Sequence, residues 1–363
     1  MAQRLVLLAA GGTGGHLFPA EALALALQKR DVATDLATDH RAAHFKFPAR
    51  EIHIVESATF RGKDPLSVAR TLATLAGGTL KAWLLLGRVK PAAVVGFGGY
   101  PTIPPLMAAA LRRVPSVLHE QNAVMGRANR LLAPRVDAIA TSVREIAGAK
   151  SSLQSKMSFT GNPVRPAVIA AAQMPYVPPM PDGVFRVLVF GGSQGARVMS
   201  EVVPQAVQRL PQDVRARLMI TQQAREEDLI GVRTIYSGLK VNAETASFYA
   251  DLPARIAQSH LIISRSGAST VAELSAIGRP AILVPLPHAL DQDQRANAGV
   301  LQKAGGAIPI DQAQFTPDRL AAEIAALARD TRRLMTMAAG AKSAGTIDAA
   351  DRLAALVMRV AGL

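Results

Sequence analysis

The sequence contains the same strand–turn–helix pattern twice, and this repeat constrains the fold more than any other feature. "RLVLLAAGGTGGHLFPAEALALAL" (4–27) is an apolar run, a glycine-rich turn and a helical pattern. "FRVLVFGGSQGARVMSEVVPQAVQRL" (185–210) repeats it, and the two turns begin at Gly11 and Gly191. Short apolar runs such as "DAIATS", "RLMIT", "LIISRS" and "PAILVP" alternate with longer Ala/Leu-rich stretches. Continuous apolar runs of that length read as parallel strands buried on both faces, and the longer stretches as the helices that cover them. The class is therefore α/β, with two Rossmann-like domains whose strand C-termini carry ligand-facing loops.

The stretch "GNPVRPAVIAAAQMPYVPPMPDG" (161–183) breaks this rhythm with prolines. It divides the chain into an N-terminal domain over 1–162, a Pro-rich linker over 163–184 and a C-terminal domain over 185–347. "DAADRLAALVMRVAGL" (348–363) reads as a closing amphipathic helix.

Neither turn matches a common nucleotide fingerprint. In "GGTGGH", Leu17 stands where G-x-G-x-x-G needs its third glycine, and the Lys-Ser/Thr pair of a P-loop is missing. Asp39 at the end of the second strand resembles a ribose-binding acid, but the broken fingerprint argues against a dinucleotide oxidoreductase. What remains is physical: glycine lets backbone approach a ligand, and a helix start offers free N–H groups to an anion. "GGSQGAR" adds a hydroxyl at Ser193, and "SRSGASTVAE" (264–273) runs from a third strand into a helix.

With no cysteine, the chain has no disulfide, thiolate nucleophile or cysteine-ligated metal. The net charge of +14 is uneven, with 20 basic against 10 acidic residues in 1–160 and 21 against 17 in 161–363. Such a balance suits an anionic substrate or membrane surface, or is a solvated basic surface. Nucleic acid is disfavoured, because aromatics are 4% of the chain and no zinc-finger or RNP motif is present. The N-terminal apolar run leads straight into the glycine turn, so it reads as a strand and not as a signal peptide.

Three further motifs each have two readings. Thr270-Val-Ala-Glu273 has the spacing of a capping box, or Glu273 accepts hydrogen bonds from ribose hydroxyls. "HEQN" (119–122) is a structural hydrogen-bond cluster or the lining of a site. Asp291-Gln-Asp293 has the D-x-D form that holds a divalent cation against a diphosphate, or belongs to a polar loop capping the next helix.

Eight stretches, "GGTGGHLFPA", "FRGK" (60–63), "GFGGYPT" (96–102), "HEQN", "GNPVR" (161–165), "GGSQGAR", "SRSGASTVAE" and "DQDQRANA", occur together in one order. In this the chain resembles the bacterial UDP-N-acetylglucosamine transferases that convert lipid I to lipid II, the MurG family. The resemblance implies a GT-B glycosyltransferase fold, with an acceptor domain first, a UDP-GlcNAc domain second and the final helix returning to the first. It implies inverting transfer of GlcNAc from UDP-GlcNAc to the C4 hydroxyl of MurNAc in lipid I, at the cytoplasmic face of the bacterial membrane, with no cofactor and no bound metal.

Carried over by motif, the resemblance places Thr13, Gly14 and Gly15 beside the transferred sugar and phosphates and Asn122 on the donor. Arg165 and Ser193 fall near the diphosphate or nucleoside, and Tyr249 of "SFYADLP" falls at the uracil. Ala268, Ser269, Thr270, Val271, Ala272 and Glu273 wrap the nucleotide, with Glu273 on the ribose, and Gln294 binds GlcNAc hydroxyls. An inverting transfer needs a base near the attacking hydroxyl. His16 is the first candidate for it and Glu120 the second. The sequence departs from the family pattern at Asp293, where His or Gln is usual, and at "TQQA" (221–224), where His-Gln-x-Gly is usual.

Residues 66–90 mix leucines and Trp83 with Arg70, Lys81, Arg88 and Lys90. They read as a crossover helix buried on the sheet, or as a patch that dips into lipid while its cations meet anionic headgroups. Two other functions compete with lipid I transfer: a GT-B transferase with a different acceptor, and a non-catalytic nucleotide-sugar or membrane-surface binder.

Overall fold

The computed structural model describes residues 4–11, 14–40, 46–58, 64–192, 195–287 and 292–363. The chain forms two compact units, Met1–Arg165 with Thr346–Leu363, and Pro166–Gly345. Among the described residues, the sheet of the first unit has seven parallel strands. They are β1 (Leu5–Ala9), β2 (Ala33–Thr38), β3 (Ile52–Ile54), β4 (Ala93–Gly96), β5 (Ser116–Glu120), β6 (Ala138–Thr141) and β7 (Met157–Phe159), in the order β3-β2-β1-β4-β5-β6-β7. The sheet of the second unit holds β8 (Phe185–Phe190), β9 (Leu218–Gln223), β10 (Asn242–Ala246), β11 (Leu261–Ser264), β12 (Ala281–Leu283) and β13 (Ala307–Pro309), in the order β10-β9-β8-β11-β12-β13. Both are doubly wound, and the direction of winding reverses between β1 and β4 and between β8 and β11.

The unbroken apolar run of β1 is explained by burial on both faces. Leu5 and Leu7 pack with Leu75, Leu86, Leu106 and Leu118, whereas Val6 and Leu8 pack with Leu23, Leu27, Leu353 and Val357. The second set includes residues of the helix Ala349–Ala361, which lies beside the helix Gly14–Gln28 on the first unit. Arg30 and Asp351 close that contact with a 2.7 Å ion pair.

The helix Pro65–Val89 has two apolar faces. Thr71, Leu75, Ala82, Leu85, Leu86 and Val89 are buried against the sheet side. Leu66, Leu72, Leu80, Trp83 and Leu84 are exposed. Asp64 caps its start by accepting from Ser67 N at 2.8 Å, and Pro65 sits where a missing N–H costs nothing. No helix among the described residues is long and apolar enough to cross a membrane.

Most of the stretch that reads as a Pro-rich linker is packed onto the second unit, which begins at Pro166. A buried cation accounts for this. Arg279 is 1% exposed and donates only to backbone carbonyls: Ala257, Ile277, Gly278, Met174 and Pro175. Ile277 and Gly278 end the helix Ala268–Ile277, where carbonyls carry partial negative charge that offsets the guanidinium's lost hydration. Lys342 adds a second tie, from Nζ to the carbonyls of Ala172 and Ala276. Tyr176 completes the strap by donating to the His260 carbonyl at 3.1 Å.

Removing the fork leaves several buried carbonyls without donors. Arg279→Met is expected to lower unfolding free energy by about 2 kcal/mol, and Arg279→Lys to recover only part of it. Equilibrium denaturation of the two variants beside the parent chain measures this, and an unchanged midpoint in Arg279→Met would contradict it.

Candidate functional site

In each unit the glycine turn lies at the C-terminal end of a strand bordering the reversal of winding, where doubly wound sheets place ligands. In the first unit Gly11 follows β1, and Gly98 and Gly99 follow β4 with φ of 82° and 73°. A Cβ on Gly11 would lie 3.1 Å from both Pro101 and the Thr38 hydroxyl, so the turn has no room for a side chain. Gly14 and Gly15 are the first two residues of the helix Gly14–Gln28, and His16 is the third. Thr13 lies outside the described residues.

The ring of His16 lies between the segments that follow β4 and β5. Its Nδ1 lies 3.2 Å from Gln121 Nε2, which also donates to the Phe97 carbonyl at 2.9 Å. Its Nε2 faces the glycine pair, since a Cβ on Gly99 would lie 3.2 Å from it. Of "HEQN", the sequence reading selected Glu120 and Asn122; the residue that meets His16 is Gln121. The signal available was position, since Gln121 directly follows a strand that borders the one carrying Gly98 and Gly99.

Glu120 does not have the surroundings of a base. It is buried, and both its oxygens are engaged: Oε1 by Asn122 N at 2.9 Å and Asn122 Nδ2 at 3.4 Å, Oε2 by Gly126 N at 2.9 Å and Asn129 Nδ2 at 2.7 Å. Burial pushes its carboxyl above the usual range, and these four donors act the other way. Its geometry is that of a clasp closing the loop 121–126. Asn122, expected on the donor, contributes two of those donors.

Arg165 stacks its guanidinium 4.1 Å above the Phe18 ring, next to Glu21. Burial raises the Glu21 carboxyl, and Arg165 lowers it.

In the second unit the backbone closes tightly after β8. A Cβ on Gly191 would lie 2.2 Å from Ala196 N, and Gly192 and Gly195 have φ of 87° and 68°. Ser193 lies outside the described residues. Gln223 ties this turn to the segment 247–253, accepting from Gly191 N at 3.3 Å and donating to the Ser247 carbonyl at 3.0 Å. It belongs to the departing "TQQA" stretch. The Tyr249 hydroxyl donates to the Glu244 carbonyl at 3.2 Å, and Arg255 lies 4.3 Å over its ring.

Ala268, Ser269, Thr270, Val271, Ala272 and Glu273 are the first six residues of the helix Ala268–Ile277. The capping-box reading fails because Gly267 is the N-cap and Thr270 already lies inside the helix. Gln294 accepts from Leu286 N at 3.1 Å, and its carbonyl accepts from the Ser266 hydroxyl at 2.7 Å. Asp293 is the first residue of the helix Asp293–Lys303 and accepts from Gln294 N at 2.9 Å; the N-cap is Gln292, whose side chain makes no capping hydrogen bond, and Asp291 is outside the described residues.

Among the described residues, the carboxylates and imidazole that lie close enough to share a metal ion are Asp35, Glu51 and His53. There the Arg50 fork takes both Asp35 oxygens, at 3.0 and 2.9 Å, and His53 Nε2 lies 3.1 Å from one of them.

His119, beneath the first-unit site, is fully buried and donates from Nε2 to the Gly161 carbonyl at 3.1 Å. Burial pulls its pKa down to about 4, helped by His16 and opposed by the Gly161 contact. The unfolded chain takes this proton near pH 6.5, so the folded state loses stability as pH falls from there towards 4. At about 1.4 kcal/mol per pH unit the loss is roughly 3 kcal/mol. Urea unfolding between pH 7 and 4.5 measures the slope, and His119→Gln is expected to reduce it without abolishing it, because burial also pulls His260 down to about 4.

Residues 6–141 match the N-terminal domain of glycosyltransferase family 28, and residues 186–353 match its C-terminal domain. A protein of Nitrobacter hamburgensis is 59% identical over 99% of this chain and 98% of its own length. One of Rhodopseudomonas palustris is 60% identical over 98% of each. Both are UDP-N-acetylglucosamine–N-acetylmuramyl-(pentapeptide) pyrophosphoryl-undecaprenol N-acetylglucosamine transferases. The crystal structure of MurG from Acinetobacter baumannii superimposes with a TM-score of 0.78 at 26% identity, covering 98% of this chain and 99% of that one. The chain belongs to this family of glycosyltransferases.

Proposed function

We propose that this member of glycosyltransferase family 28 transfers N-acetylglucosamine from UDP-GlcNAc to the C4 hydroxyl of MurNAc in lipid I, with inversion, giving lipid II and UDP for peptidoglycan synthesis. The observation that carries the reading is identity near 60%, along essentially the whole chain, to transferases of that activity. In the reaction the hydroxyl oxygen bonds to C1 of GlcNAc as the bond from C1 to the diphosphate breaks. The electron pair leaves with UDP, and the hydroxyl proton passes to solvent water.

The second unit is the donor side of this reading. The start of the helix Ala268–Ile277 presents backbone N–H groups suited to the growing charge on the diphosphate. Glu273 takes the ribose hydroxyls, Gln294 the sugar, and the segment around Tyr249 the uracil; Ser193 adds its hydroxyl. The first unit is the acceptor side, with Thr13, Gly14 and Gly15 at the start of its first helix and His16 turned to the Gly98–Gly99 pair.

The acceptor is a lipid, and the reading includes peripheral attachment to the cytoplasmic face of the membrane through the first unit. Exposed Leu66, Leu72, Leu80, Trp83, Leu84 and Leu111 support it. So do the cations beside them: Arg112 stacks 3.8 Å over Trp83, and Lys81 and Arg88 line a cavity of about 460 Å³ with Ile52, Ile54 and Leu84.

With UDP-GlcNAc and a short-chain lipid I analogue, the protein is expected to release UDP and form the disaccharide, and His16→Ala to lower kcat by roughly a hundredfold. UDP release only with another acceptor would redirect the substrate, and binding without turnover would make the chain a binder. Sedimentation with anionic vesicles is expected to fall steeply as salt rises and to weaken in Trp83→Ser with Leu84→Ser. Equal binding at low and high salt would remove the electrostatic part.

A further inference from the structure

The Phe97 carbonyl can only accept, so the Gln121 side-chain atom 2.9 Å from it is the amide nitrogen. The second hydrogen of that nitrogen meets His16 Nδ1 at 3.2 Å, and Nδ1 must offer a lone pair. A neutral imidazole carries one N–H, which then sits on Nε2. The ring is also the third residue of the helix Gly14–Gln28, where the positive end of the helix dipole disfavours a second proton. Nε2 is the nitrogen that faces the Gly98–Gly99 pair.

We propose that Gln121 is a positioning residue that locks neutral His16 in the Nε2–H tautomer, so that His16 gives a hydrogen bond to an oxygen of the acceptor and does not take the hydroxyl proton. The proposal rests on the reading of the first unit as the acceptor side, and it replaces the role of base expected for His16. A neutral ring that donates needs no proton exchange before each turnover. It polarises or orients an oxygen as it stands, which suits a group held by packing on both sides.

The tautomer is measured without substrate, which separates it from the activity reading. The chain has seven histidines, so the full-length protein labelled with ¹⁵N in its imidazoles gives a tractable long-range ¹H–¹⁵N spectrum, with His16 assigned by its loss in His16→Gln. At about pH 8, above the usual histidine range, Nδ1 is expected to show the shift of an unprotonated nitrogen and Nε2 that of a protonated one. Gln121→Met removes the donor and is expected to give a mixture of tautomers. Gln121→Glu supplies an acceptor and is expected to move the proton to Nδ1. Both variants are expected to lower kcat by roughly ten- to a hundredfold, with KM for UDP-GlcNAc within about twofold of the parent. A proton on Nδ1 in the parent chain overturns the proposal. So does a tautomer unmoved by both variants, or a switched tautomer with kcat unchanged. Full turnover in His16→Ala with the expected tautomer would instead sink the acceptor-side role and leave the assignment of the proton standing.

Discussion

Parallel strands impose the arrangement on which everything else rests. Every crossover returns the chain to the end where the strands begin, so all strand C-termini, and the loops that follow them, collect at the opposite end. Two loops can spread apart only where the winding reverses. In each unit the glycine turn stands there, after β1 and after β8. The burial of β1 and β8 secures those loops from below, because neither strand can shift register without exposing core residues on both faces.

The loops themselves are held by polar groups that sequence patterns do not rank. Glu120 gathers four N–H groups and so fixes the start of the loop that carries Gln121. Gln223 spans from the second glycine turn to Ser247. Glu120 binds backbone and side-chain N–H groups, and Gln223 binds backbone at both ends. A buried acceptor with all its donors in place is costly to disturb, and this gives the surrounding glycines a defined conformation despite their freedom.

Legible from the residues alone were the two sheets, the strand–turn–helix repeat and the ordered set of motifs, because all of these are local. An apolar run or a glycine turn shows itself in a short window. Less legible was anything set by distant partners. "HEQN" reads equally as a structural cluster or the lining of a site, and only the fold shows Glu120 and Asn122 bonded to each other and Glu120 to Gly126 and Asn129. The Thr270–Glu273 spacing suggested a cap, and a helix that starts at Ala268 makes the same residues interior. Pro-rich composition suggested a free linker at 163–184, and nothing within that window announces Arg279, about a hundred positions later, as its anchor.

The helix Ala349–Ala361 belongs to the first unit although it is made after the second. Leu353, Leu356 and Val357 are core residues there, packed with Leu23 and Leu27. A ribosome therefore delivers every residue of the second unit before the first unit has its last helix. During synthesis the apolar side of Gly14–Gln28 is left without that cover until the last helix is made.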